Sequence, residues 1–161
     1  MAFTIRAATP EDAPVIMELV MALAEFEELT HEVTGTADQL RQHLGGDRPA
    51  IEGLVAEQEG TVVGYALFFS TYSTFRTQPG LYLEDVFVLP DFRRQGIATA
   101  LIGQVAAIAV ERNCARFEWA VLDWNQRAIA VYEKLGAKIL PDWRTCRVEG
   151  DPLRQLAEKA P

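Results

Sequence analysis

The 161 residues are 49% hydrophobic and 24% charged, a balance that supports a packed core and excludes a disordered or fibrous chain. Lys and Arg number 15 against 23 Asp and Glu, and the formal net charge of -8 is the wrong sign for a nucleic-acid surface but suits a cationic small substrate. No apolar run approaches the roughly 20 residues that cross a bilayer, and the start carries no basic n-region followed by an apolar h-region. The expectation is a cytoplasmic protein, away from membranes and nucleic acid, folded as a single domain over residues 1–161. Cys114 and Cys146 have no metal-ligand spacing; no metal is expected, and reduced thiols suit that compartment.

In chain order, Phe3 to Ala8 alternates as a first strand. Thr9-Pro10-Glu11-Asp12 reads as a helix start, with Thr capping and Pro at the first helical position. That helix runs to about Glu28 on an apolar stripe of Val15, Ile16, Leu19, Val20 and Leu23. Thr36 opens a short second helix that ends near Gly45-Gly46. Ala50 to Gln58 and Thr61 to Tyr72 are strands joined by the turn pair Glu59-Gly60. Pro79-Gly80 opens the strand Leu81 to Leu89, and Ile97 to Arg112 is a long helix. A strand over Arg116 to Leu122 follows, then a helix over Asn125 to Leu135 closed by Gly136. Trp143 to Val148 reads as a last strand and Pro152 to Lys159 as a final helix. The order β-α-α-β-β-β-α-β-α-β-α is an α/β chain with a mixed sheet covered by helices on both faces.

The stretch from Leu81 to Ile102 combines features that packing alone does not explain. Glu84 and Asp85 sit in the middle of an apolar strand, where an unpartnered polar group costs roughly 2–7 kcal/mol. As neighbours on a strand they are expected to leave opposite faces unless a bulge intervenes, which argues against a closely paired dyad. The strand breaks at Pro90, and Arg93-Arg94-Gln95-Gly96-Ile97-Ala98 leads into the long helix. Free backbone N–H groups, the helix dipole and two arginines there outline a pyrophosphate site; an ordinary turn with a solvated basic pair is the competing reading. The pattern is neither a Walker loop nor the three-glycine dinucleotide fingerprint. A second cluster pairs Asn125 at a helix start with Tyr132 two turns on, so amide and phenol share one stripe; a capping asparagine and a half-buried core tyrosine would look the same.

Arg93-x-x-Gly96-x-Ala98 after Val86-Phe87-Val88 resembles the acetyl-CoA motif of the GNAT N-acetyltransferase family, with Ala98 where the family often has glycine. Tyr82-Leu83-Glu84-Asp85, the block Asp123 to Arg127, Tyr132 and Trp143-Arg144 are most similar to that family's diamine acetyltransferase branch, its thialysine-acetylating members above all. The resemblance covers essentially the whole chain. It implies a central, mixed but mostly antiparallel sheet and acetyl-CoA as co-substrate. It places the pantetheine arm against Val86, Phe87 and Val88. The phosphates fall to Arg93, Arg94, Gln95, Gly96, Ile97, Ala98 and Thr99, with further cofactor contacts from Asn125, Gln126, Arg127, Ala128 and Tyr132. The acceptor falls to Phe26, Glu27, Glu84, Asp85, Glu118, Trp119 and Ala120. It also implies a homodimer in which Trp143 to Val148 extends the sheet, with exchange of that strand between subunits as an alternative.

Acetylating an amine needs the neutral form, which for a lysine-like group of pKa near 10.4 is about one part in a thousand at neutral pH. Glu84 is the candidate to bind the ammonium and take its proton through water, with Asp85 supplying negative potential. Tyr132 is the candidate acid for the departing thiolate, and backbone N–H near Val86 the candidate oxyanion donor. Ser73 stands where polyamine-specific members of the branch carry an acid, and Arg76 adds a cation, which favours thialysine, lysine-like amino acids or short diamines over spermine. A non-catalytic acyl-CoA sensor and a protein N-terminal or lysine acetyltransferase are the competing functions.

Overall fold

A computed structural model describes residues 2–161, which form two compact units, one ending at Ala120 and the other starting at Val121. The first contains a five-stranded sheet in the order β1 (Thr4–Ala7), β2 (Glu52–Gln58), β3 (Thr61–Ser73), β4 (Gln78–Val88), β5 (Phe117–Trp119). The first four strands pair antiparallel and β5 joins β4 in parallel. Helices α1 (Ala13–Phe26) and α2 (Ala37–Leu44) follow β1, and α3 (Ile97–Glu111) is the crossover between β4 and β5.

Strand alternation divides the core. On one face Val55, Tyr65, Leu67 and Phe87 meet Ala13, Ile16, Leu19, Leu40 and Leu44 of α1 and α2. Leu54, Ala66, Phe68, Leu81 and Leu83 take the other face, where α3 contributes Ile97, Leu101, Ile102 and Val105. Each fully buried side chain of this size stabilises the fold by about 1.5–3 kcal/mol relative to exposure. Gly64 permits the close approach of β3 and β4, since a Cβ there would lie 2.9 Å from the Phe87 carbonyl oxygen.

The entry to α1 is held by ions. Thr9 caps a 3₁₀ turn over Pro10–Asp12, and its N–H donates to Asp12 Oδ2 at 2.7 Å. Arg6 donates to both Asp12 oxygens at 2.8 Å and to Glu57 Oε1 at 2.7 Å. These bonds hold the Asp12 carboxyl down at about 2, and they account for a carboxylate that is almost wholly buried.

The second unit contains α4 (Gln126–Lys134) and α5 (Gly150–Ala157). Three expectations change. The strand expected over Arg116 to Leu122 pairs only at Phe117–Trp119. The strand expected from Leu81 starts earlier, at Gln78, so Pro79 and Gly80 lie within the β3–β4 ladder opposite Tyr72 and Thr71. No strand forms over Trp143 to Val148, because a strand exists only as a ladder with a neighbour and two helices offer none.

Candidate active site

The β3–β4 ladder slips at the two carboxylates. Asp85 is opposite Leu67 and Leu83 is opposite Phe68, so Glu84 is the extra residue of a bulge. Leu83 belongs to the α3 face, which puts Glu84 on the α1 face by alternation. Asp85, in register with Leu67, is on that face too. The expectation of opposite faces is thereby corrected: the bulge gathers both acids on one side of the sheet.

The same slip decides where the backbone points. Leu89 N–H donates to Val63 at 3.0 Å, so Leu89, Phe87 and Asp85 direct their amide groups into the β3 ladder. Val86 and Val88 direct theirs the other way. On that side β5 pairs only with Leu81–Leu83, so beyond the bulge β4 offers an open edge. The pantetheine assignment therefore separates: Val86 and Val88 present backbone, whereas Phe87 lends a core ring. The Val88 carbonyl already accepts from Arg93 Nε at 2.9 Å.

The turn after β4 is built for close approach. Gly96 caps α3 in the left-handed region at φ 83°, a Cβ there would meet nothing within 4 Å, and Arg94 is also left-handed at φ 63°. The first hydrogen bond of α3 runs from Ala100 N–H to Gly96 O, so the N–H groups of Ile97, Ala98 and Thr99 have no helical acceptor. Ile97 is buried as an anchor; Arg94, Gln95, Gly96, Ala98 and Thr99 are exposed. Arg93 has a different place from Arg94. Its guanidinium lies 5.2 Å from the Phe26 ring centre and 5.3 Å from that of Phe87, fastening the end of α1 to β4. These residues fit the phosphates and pantetheine of a coenzyme A ester: free amides, a glycine that yields space, and an unladdered strand.

On the α1 face Asp85 is the acid whose surroundings act on it most. Burial pushes the Asp85 carboxyl up to about 6, with the charges of Glu84 and Glu27 adding to the rise and the Tyr65 hydroxyl opposing it. Tyr65, completely buried, donates to Asp85 Oδ2 at 3.4 Å. Glu27, capping the C-terminus of α1, is also raised by burial. Tyr82 lies in register with Glu118, and burial together with the charges of Glu84 and Glu118 raises its phenol. Glu118 pairs with Arg116 at 3.1 Å, Trp119 packs 4.9 Å from Phe117, and Ala120 is exposed just past β5. Sequence reasoning missed Tyr65; the signal available was a phenol on a strand whose core side is otherwise hydrocarbon.

In the second unit Asn125 caps α4, its Oδ1 accepting from Ala128 N–H at 3.2 Å, and Gln126 Nε2 donates to the Asp123 carbonyl at 2.8 Å. Arg127 is exposed, and Ala128 is half-buried. Gly136, at φ 90°, ends the helix: Ala137 N–H reaches the Tyr132 carbonyl and Gly136 N–H that of Glu133, both at 3.0 Å. The Tyr132 backbone is thus pinned by the stop signal of its own helix, and its side chain is half-buried.

Comparison with known proteins agrees with this architecture. Residues 17–137 match the family model described as the acetyltransferase (GNAT) family. The chain is 42% identical to a thialysine N-ε-acetyltransferase of Mus musculus, over 95% of this chain and 96% of that one. It is 32% identical to an L-ornithine N5-acetyltransferase of Arabidopsis thaliana, over 94% of this chain and 86% of that one. Its fold is like that of an integron cassette protein of V. cholerae, with a TM-score of 0.81, 21% identity and 99% of each chain covered. The chain belongs to the GNAT family and is an acetyltransferase.

Proposed function

We propose that the protein moves the acetyl group of acetyl-CoA to the primary amine of a small substrate: thialysine, a lysine-like amino acid or a short diamine. The observation that carries this reading is the β4 bulge, which sets two carboxylates on one face and turns the Val86 and Val88 amides to an open edge. Val86 N–H is the candidate donor to the oxyanion, Val86 and Val88 pair with the pantetheine arm, and Arg94 to Thr99 hold the phosphates. Arg93 serves by fixing the turn.

Glu84 binds the substrate ammonium and accepts its proton through water. The neutral amine then attacks the thioester carbonyl, forming the C–N bond; the C–S bond breaks, and the second proton of the nitrogen passes through water to restore the phenol that protonates the thiolate. In this reading the thiolate takes a proton from the Tyr132 phenol, whose ordinary pKa near 10 keeps it loaded at neutral pH. Relatives that act on thialysine and ornithine support a short acceptor carrying its own carboxylate.

The deciding experiment is a thiol-release screen with acetyl-CoA against S-aminoethylcysteine, lysine, ornithine, putrescine, spermidine and spermine. Short amino-acid amines are expected to turn over fastest. Spermidine outrunning S-aminoethylcysteine would reverse the acceptor assignment, and no thiol release with any amine would favour an acyl-CoA sensor. Tyr132→Phe should lower kcat by about 10²-fold, and an unchanged kcat across pH removes the acid assignment.

We also propose a cytoplasmic homodimer. Its support is the apolar display of the second unit, with Trp143 80% and Leu140 56% exposed beside a segment patterned as a strand. Light scattering at micromolar concentration giving one chain per particle would refute the dimer. No helix among the described residues is long and apolar enough to cross a membrane.

A further inference from the structure

Buried phenols ordinarily need a partner, and Tyr65 has an unusual one. It is completely buried in the β3 row that packs against α1 and α2, among Leu67, Phe87 and Ile16. A phenylalanine would fill that place without a polar atom to satisfy. The Tyr65 hydroxyl instead donates to Asp85 Oδ2, which reaches that face only because Glu84 is the bulged residue. Two carboxylates on one face repel, and one of them has a fixed donor behind it.

We propose that Tyr65 is a positioning residue for acetyl transfer: through its hydroxyl it holds Asp85 as the anion beside Glu84, so that the two carboxylates together receive the one proton given up by the acceptor ammonium. This rests on the amine-acetyltransferase reading and deepens it. The step balances simply, since the ammonium loses one proton and the carboxylate pair goes from two negative charges to one. Asp85 is the more buried of the two and burial raises its carboxyl, so the proton comes to rest there after Glu84 has taken it up.

The groups acting on Asp85 are Glu84 on its own strand, Tyr65 on β3 and Glu27 at the end of α1, while the Arg93 guanidinium lies over the rings of Phe26 and Phe87. Glu84 and Glu27 favour the protonated form and Tyr65 the anion. The phenol is therefore the group whose removal shifts the pair toward holding its proton.

The test is the pH profile of kcat/KM with S-aminoethylcysteine for wild type, Tyr65→Phe, Asp85→Asn and the double variant. Wild type should show an acid limb near pH 6, where the pair must lose its proton. Tyr65→Phe should move that limb up by about 0.5–1 pH unit with its plateau near pH 8.5 unchanged, giving a roughly 3- to 10-fold deficit below the limb. In Asp85→Asn the limb near pH 6 should vanish, and adding Tyr65→Phe should do nothing more. A uniform loss at all pH, or an equal effect of Tyr65→Phe in the Asp85→Asn background, would overturn the proposal and leave a packing role only. Carbon-13 titration of the Asp85 carboxyl in wild type and Tyr65→Phe gives a readout independent of turnover, and an unmoved titration also overturns it. If wild type turns over no amine, the function fails; if it turns over with a limb that ignores Tyr65, only this inference fails.

Discussion

At the entry to α1, Asp12 and Glu57 share the guanidinium of Arg6, and their charge is used up in holding β1, β2 and the helix start together. At the β4 bulge, Glu84 and Asp85 stand on one face near Glu27, and the hydroxyl that meets Asp85 is the phenol of Tyr65. One carboxyl is held near 2 and the other is pushed up to about 6. Acids of one sheet are thus spent on stability in one place and kept costly in another. Like-charged, buried groups concentrate where proteins handle protons, and the proposed proton transfer at the bulge follows that pattern.

Exchanging the acids in each place breaks or sharpens this contrast. The largest effect is expected from Glu84→Gln, which should lower kcat by about 10²–10³-fold in a thiol-release assay while leaving the melting temperature nearly unchanged. If Glu84→Gln instead lowers the melting temperature and leaves kcat unchanged, the contrast collapses.

Asp12→Asn should do the reverse, leaving kcat unchanged and costing roughly 1–2 kcal/mol, given that Arg6 is half exposed and partly screened. Because the folded Asp12 carboxyl is held below its ordinary value of 3.8, its stabilisation is fully present above that pH and fades as pH falls toward 2. Wild type and Asp12→Asn should accordingly converge in urea titrations near pH 2 and separate at pH 6.

At Asp85 the effect on stability is of similar size and opposite sign. Its raised carboxyl favours folding below pH 3.8 and loses that advantage as pH climbs through about 6. Asp85→Asn should therefore stabilise the fold at pH 8 by about 1–2 kcal/mol, read as a higher melting temperature, and change little at pH 4. A destabilised Asp85→Asn at pH 8 would mean that the acid has a structural partner after all.

Much of the first unit is legible in the sequence because its signals are local. Thr9-Pro10 and Thr36 mark helix starts where caps form, Glu59-Gly60 makes the β2–β3 turn, and Gly96 and Gly136 take the left-handed positions expected of a close turn and a helix stop. The bulge was harder to see. Leu81 and Leu83 occupy one face, and the phase then slips by one residue to Val86 and Val88; with Leu89 and Phe87 also apolar, a strand buried on both faces hides that slip. The pairing of Tyr65 with Asp85 spans 20 residues and depends on it. Trp143 to Val148 was misread for another reason: alternation records an aptitude for a sheet, and whether a sheet is at hand is a property of the surroundings.

The unladdered edge of β4 couples supply to survival. A strand with outward amides is a template on which another copy of the chain can stick, and a coenzyme bound there as proposed would cover that template. At a hundred times its dissociation constant such a ligand adds about 2.7 kcal/mol to the folded state. Cells rich in acetyl-CoA would then keep this protein longer as well as busier, and preparations stripped of it should clump first.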